Sequence, residues 1–258
     1  MYDEGSKELI NRFFIAILGL SAIAFSQPPG HGRNFAGQDM FRGQFQAKVV
    51  TGEPYSGVGV TALQRTLSDG NAINESSCVK VYRDSAGRTR REETRNSSTC
   101  SATPQTILIS DPVAGVEYVI NQKDNSYRQF PLKTPRAGGV PPAGNRPANP
   151  NQVQTSLGTQ PIAGTSLSAQ GTQTVTTIPA GQFGNAQPIT ITSVRWYSPD
   201  LEVVIQSSRN DPRNGVSTYQ LSNVSTAEPA ASLFTLPAGL TLEQGPSHGP
   251  NGRDRRAP

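Results

Sequence analysis

The chain has 258 residues, 34% hydrophobic and 16% charged, with 25 Gly, 21 Pro and a formal net charge of +4. That length holds one large β domain or two small ones, and the low apolar content with so much Gly and Pro points to many turns and some unstructured length. The basic excess is too small to imply a nucleic-acid partner, and two cysteines with two histidines leave little for metal or thiol chemistry.

The first predicted element is an export signal over residues 1–26. An unbroken apolar and small run, Phe13 to Phe25, follows Lys7 and Arg12 and ends at the small-x-small site Ala24-Phe25-Ser26. It is too short to cross a bilayer core of about 30 Å, so no transmembrane span is expected after cleavage. Asp3, Glu4 and Glu8 outweigh the two bases, so cleavage and retention as a poor anchor both stay open. Residues 27–42 form a polar Gly/Pro-containing leader without periodicity, read as disordered.

Strands are expected from Gly43 onward. Phe45, Ala47 and Val49 alternate with polar residues, then Val58, Val60 and Ala62, then Leu63, Arg65 and Leu67 on the other parity. The switch after Ala62 predicts a bulge or a change of environment. Ser77–Arg83 and Arg88–Arg95 read as a hairpin around Asp84-Ser85-Ala86-Gly87. The return strand holds no aliphatic residue, so it reads as a solvated edge strand or as a surface for something acidic. Its arginines are mixed with Glu92 and Glu93 and neutralise them, which favours the edge. Cys78 and Cys100 are either one disulfide, the default outside the cytoplasm, or two separate thiols.

Ile107–Ser110 and Val116–Asn121 make the next hairpin about Asp111-Pro112, and Tyr127–Leu132 adds a strand. Residues 133–152 are a Pro, Gly and Asn insertion with almost nothing to bury, read as disordered. The second half restarts at Ser156, gives a strand over Gln173–Ile178, and reaches its clearest stretch at Ile189–Val224. There three strands follow each other through turns at Ser198-Pro199-Asp200 and Asp211–Gly215, with Leu201, Val203 and Ile205 alternating. Trp196 reads as packed on the face away from the Leu201 set, as core or as a ligand contact. Leu233–Pro237 adds core contact, and residues 241–258 form a disordered tail. One β domain over residues 43–240 is the expected organisation, with few helices.

Both histidines, His31 and His248, lie in the expected disordered ends, and neither cysteine lies near a histidine or in a CxxC pair. No phosphate-binding loop, dinucleotide fingerprint, zinc-protease or nucleophile-elbow motif occurs. No catalytic residue, metal ligand or cofactor is therefore expected, and the chain reads as non-catalytic.

Several phrases carry a resemblance: Tyr82–Glu93, Ile109–Asn121, Thr177–Ile189, Arg195–Ile205, Asp211–Leu221 and Glu228–Gly239. Together they resemble an uncharacterised family of exported bacterial β-proteins, distantly similar to the outer-membrane lipoprotein-sorting (LolA-like) superfamily. The resemblance implies a large, curved, antiparallel sheet, an open half-barrel, whose concave face holds lipid or acyl chains in the periplasm or outside the cell. The carriers of that superfamily plug their cavity with helices, and none is read here. Two functions follow. One is an exported binding protein sheltering an apolar ligand, with Val79, Val81, Ile107, Ile109, Val116, Tyr118, Leu201, Val203 and Ile205 as lining or simply as core. The other is a protein-interaction or sensor module whose partner is an envelope protein.

Overall fold

The computed structural model describes residues 49–132 and 149–243. The expected signal segment, the leader, the strand start at residues 43–48, most of the insertion and the tail from residue 244 lie outside the described residues.

Eleven strands of ordinary length follow in chain order: β1 Tyr55–Thr66, β2 Ala72–Arg83, β3 Thr89–Arg95, β4 Thr106–Asp111, β5 Val116–Asn121, β6 Ser126–Pro131, β7 Gln152–Pro161, β8 Ser168–Ile178, β9 Ile189–Ser198, β10 Val203–Asp211 and β11 Gly215–Ser225. A 3₁₀ turn at Ala231–Phe234 and a two-residue strand, β12 Thr241–Leu242, complete the described chain. All belong to one sheet ordered β12-β6-β5-β4-β3-β2-β1-β11-β10-β9-β8-β7. Every pairing is antiparallel except β12 with β6. The two halves of the sequence meet where β1 pairs with β11. The sheet is open and curved, mainly β, and no α-helix occurs among the described residues, as the sequence led us to expect.

The turns form for local reasons. Asp111 accepts from the Val113 and Ala114 amides, and Asp211 accepts from the Arg213 amide (3.1 Å), so both Asp-Pro turns close on an aspartate side chain. The Arg213 guanidinium grips the same carboxylate at 2.9–3.0 Å.

Four readings are corrected. First, β3 is interior, paired with β2 on one side and β4 on the other, so it is no edge strand. Its charges tolerate this because Arg90 pairs with Glu92 (2.8 Å) and Arg91 with Glu93 (3.4 Å). A spacing of two keeps each pair on one face, where the charges neutralise. Second, the buried positions of β1 are Tyr55, Gly57, Gly59 and Thr61, while Val58, Val60 and Ala62 are half-buried. The register break lies between Ser56 and Val58 against β11. Third, β10 starts at Val203 and carries a bulge between Val204 and Gln206. Val204 and Ile205 are both buried, so the simple alternation from Leu201 fails. Fourth, the described chain is structured beyond the expected limits: β8 begins at Ser168, β7 at Gln152, and Thr241–Leu242 lie beside Ser126–Tyr127.

The core is divided between the two faces. Gly57, Val81, Arg91, Leu108, Val119 and Arg128 stand side by side from β1 to β6. The adjacent row, Lys80, Glu92, Ile107, Ile120 and Tyr127, therefore points the other way. The first face, called inner here, carries Tyr55, Val79, Val81, Tyr219 and Leu221 in the larger apolar cluster, with Leu201, Val204 and Ile205. The outer face carries the smaller cluster of Ile107, Ile109 and Ile120.

Candidate binding face

The inner face is filled at one end. Arg83, opposite Tyr55 in the ladder, lies 4.7 Å over that ring. It donates to the carbonyls of Glu53 (2.9 and 2.7 Å) and Leu201 (2.6 Å). Leu201 precedes β10, which stands three places from β2 in the sheet, so this bond ties the curve of the sheet together. Burial lowers the Arg83 pKa from the ordinary guanidinium value. It also pushes the Tyr55 hydroxyl up to about 12 and raises Tyr219, whose ring is buried beside it. Both phenols stay protonated at neutral pH and offer no base.

Two glycines admit large rings. A Cβ on Gly59 would stand 2.7 Å from Tyr219 Cε2, and one on Gly171 would stand 2.6 Å from the Trp196 ring. Trp196 packs, partly buried, against the cluster that contains Leu201. Register sets Trp196 opposite Gln206, on the face away from Arg195, Ser207 and Tyr219.

Past Arg91 the inner face stays open. Leu108 and Val119 are half-buried, and Phe130 is 44% exposed. Phe130 stands beside Glu117, in the row next to Leu108 and Val119. These three form an apolar shelf bordered by Arg91, Glu117 and Arg128, which is bonded to Glu243 at 2.7 Å.

The outer face is covered instead. Leu236 and Leu240, with Tyr118 and Tyr127, pack on the cluster of Ile107, Ile109 and Ile120. The covering segment is held along its length: Glu228 accepts from the Ser85 amide at 3.1 Å, Arg88 lies 5.2 Å over the buried Phe234 ring, and Arg90 donates to the Leu233 carbonyl at 3.0 Å. At its end Glu243 accepts from Ser126 and Arg128. Beside this face Cys78 and Cys100 form a disulfide (S–S 2.04 Å). The hollow next to it, lined by Lys80, Glu92, Thr94, Cys100, Ala102 and Pro104, encloses no room for even a water-sized sphere. Ligand pockets run from roughly 300 to 1,000 Å³, so it is no site for a lipid.

The structure thus distributes the nine predicted lining residues. Val79, Val81, Leu201 and Ile205 share the inner cluster, with Val203 packed against it. Ile107 and Ile109, with Tyr118 against them, belong to the outer cluster, and Val116 is half-buried on that same face. The shelf residues Leu108, Val119 and Phe130 escaped the sequence reading; their alternation with Ile107, Ile109, Tyr118 and Ile120 is the signal that marks them. Among the described residues no group of three or more His, Cys, Asp or Glu could hold a metal ion, and no helix is long and apolar enough to cross a membrane.

No family model and no curated protein matches the chain. Among solved structures, several are distantly similar to the chain. These include the Pseudomonas aeruginosa MucA/MucB complex (11% identity, TM-score 0.41, 80% of this chain and 63% of that one). A LolA superfamily protein from Nitrosomonas europaea (10%, TM-score 0.30, 79% and 99%) and a DUF1329 family protein from Desulfovibrio piger (12%, TM-score 0.28, 78% and 96%) are also similar. The chain spans 65% of the length of MucB crystallised alone. The similarity to the LolA-like superfamily is distant, as the sequence phrases suggested.

Proposed function

We propose that this protein is an exported, non-catalytic binding protein that lays an apolar ligand, a lipid or acyl chain, on the open part of its inner face. One observation carries the reading: Phe130 is exposed and Leu108 and Val119 are half-buried on the same face whose other end is filled core, while Leu236 and Leu240 cover the outer face. In this reading Val79 and Val81 form the buried flank of the site. Ile107, Ile109, Val116 and Tyr118 join it only if the covering segment lifts. The apolar run at Phe13–Phe25 and the disulfide support export to an oxidising compartment, the periplasm or beyond. The polar shelf border sets the ligand's orientation and needs no cofactor.

Native mass spectrometry of delipidated protein incubated with envelope lipid extract tests this. The wild type is expected to retain lipid, and Val119→Asp with Phe130→Asp, both on the open shelf, to release it while keeping the circular dichroism of the folded sheet. A wild type that retains no lipid would sink the proposal. The alternative, an interaction module for an envelope protein, draws its support from the uncovered edge strand β7 and predicts that empty outcome.

A further inference from the structure

The two ends of the sheet are treated differently. At one end β6 is flanked by β12 and carries Arg128 and Pro131. At the other, β7 has β8 as its neighbour and no second one among the described residues. Residues 152–159 of β7 are exposed on both faces, Val153 by 64%.

The main-chain directions on that edge follow from the ladder. Thr177 donates to the Asn151 carbonyl at 2.9 Å, in register with the pairs Gln152 to Thr176, Val153 to Val175 and Gln154 to Thr174. Hydrogen-bonded and non-bonded pairs alternate in an antiparallel ladder. Val153 and Thr155 therefore bond to β8, and Gln152, Gln154 and Ser156 turn their main-chain groups outward. The Gln152 amide is taken by the Asn149 carbonyl (3.0 Å). The amides of Gln154 and Ser156 and the carbonyls of Gln152, Gln154 and Ser156 form the outward row. Past the bulge between Ser156 and Gly158, the bond from the Ile162 amide to the Leu167 carbonyl puts Pro161 at an outward position. A missing N–H costs nothing there.

We propose that β7 pairs with β7 of a second copy of this chain, antiparallel, about a two-fold axis at Gln154. The Gln154 amides and carbonyls then bond reciprocally, and each Ser156 amide reaches the other copy's Gln152 carbonyl. Val153 faces the other copy's Thr155. Composition selects this occupant. Edge strands are ordinarily guarded by charge, yet residues 147–194 contain no Asp, Glu, Lys, Arg or His. On the two-fold axis Gln154 meets its own copy and each neighbouring side chain lies diagonally beside its own, so a charge there would repel itself and an uncharged strand does not. The bulge after Ser156 limits the straight stretch, which makes the association weak and concentration-dependent. The inference is independent of the apolar ligand.

Sedimentation equilibrium on the full chain over a concentration series, with amide hydrogen exchange, tests it. The wild type is expected to move from monomer to dimer as concentration rises, with exchange at Gln154 and Ser156 slowing over the same range. Gln154→Pro, which removes an outward amide, is expected to stay monomeric throughout. Thr155→Lys is expected to weaken the dimer at least tenfold at low salt. Three outcomes overturn the proposal: a wild type monomeric at every concentration, a dimer indifferent to Gln154→Pro, or slow exchange at Gln154 already in the monomer. The last would mean that the chain itself or another protein covers the edge.

Discussion

Gly59 lies under the Tyr219 ring, and a side chain there has no room: its Cβ would fall 2.7 Å from Tyr219 Cε2 and 2.9 Å from Val79 Cγ1. The ring sits in a buried cluster that cannot move aside without disturbing Tyr55 and Leu221. Gly59→Ala is expected to destabilise the fold by about 1 to 3 kcal/mol, the usual cost of overpacking a core. Urea unfolding would measure it as a lower midpoint with an unchanged slope. An unaffected midpoint would show that the ring yields. Nothing local in the sequence around Gly59 signals an aromatic ring delivered from β11. Trp196 over Gly171 repeats the situation, with a Cβ 2.6 Å from the ring.

At the scale of elements, β3 shows how charge patterning depends on neighbours. Its Arg and Glu residues pair two apart on each face, and the same spacing would serve an edge strand in solvent as well as an interior one. Strand count and sheet order decided between them. The disulfide is the default reading from cysteine number and the expected compartment, with two separate thiols left open; its geometric role is not legible. It ties β2 to the loop between β3 and β4, closing a separation of 22 residues. Loop closure of that size is worth about 3 kcal/mol. Reduction, or Cys78→Ala with Cys100→Ala, is therefore expected to lower the melting temperature by several degrees in calorimetry. Equal melting temperatures with and without reductant would deny the bridge any such weight.

The whole molecule has a pH window set at both ends by specific groups. The hydrogen bond from Arg213 holds the Asp211 carboxyl well below the usual range. Bonds from Ser85 lower Glu228, and bonds from Ser126 and then Arg128 lower Glu243. Their contribution is complete above the unfolded carboxylate values near pH 4 and is lost as pH falls below them. Burial raises Tyr55 to about 12 and Tyr219 likewise upward. That contribution is complete below about pH 10, where an unfolded tyrosine ionises, and is lost as pH rises. Thermal unfolding across pH is expected to give a plateau with falls at both ends. Absorbance at the tyrosinate band should show two phenols titrating only when the sheet unfolds. Tyrosines that all ionise near pH 10 with the sheet intact would contradict the burial of this pair.

The sequence by itself determined the β class, the hairpins, the Asp-Pro turns and the meander from Ile189 to Val224, because alternation and turn chemistry are local. Only the tertiary structure decided which face each apolar residue serves. Ile107 and Val81 look alike along the chain, yet strand register sends one beneath the covering segment and the other into the inner core. A single bulge or one shift of register reverses every side chain beyond it. The apolar shelf is therefore a property of how the strands are paired, and the pairing brings together residues that the chain order keeps apart.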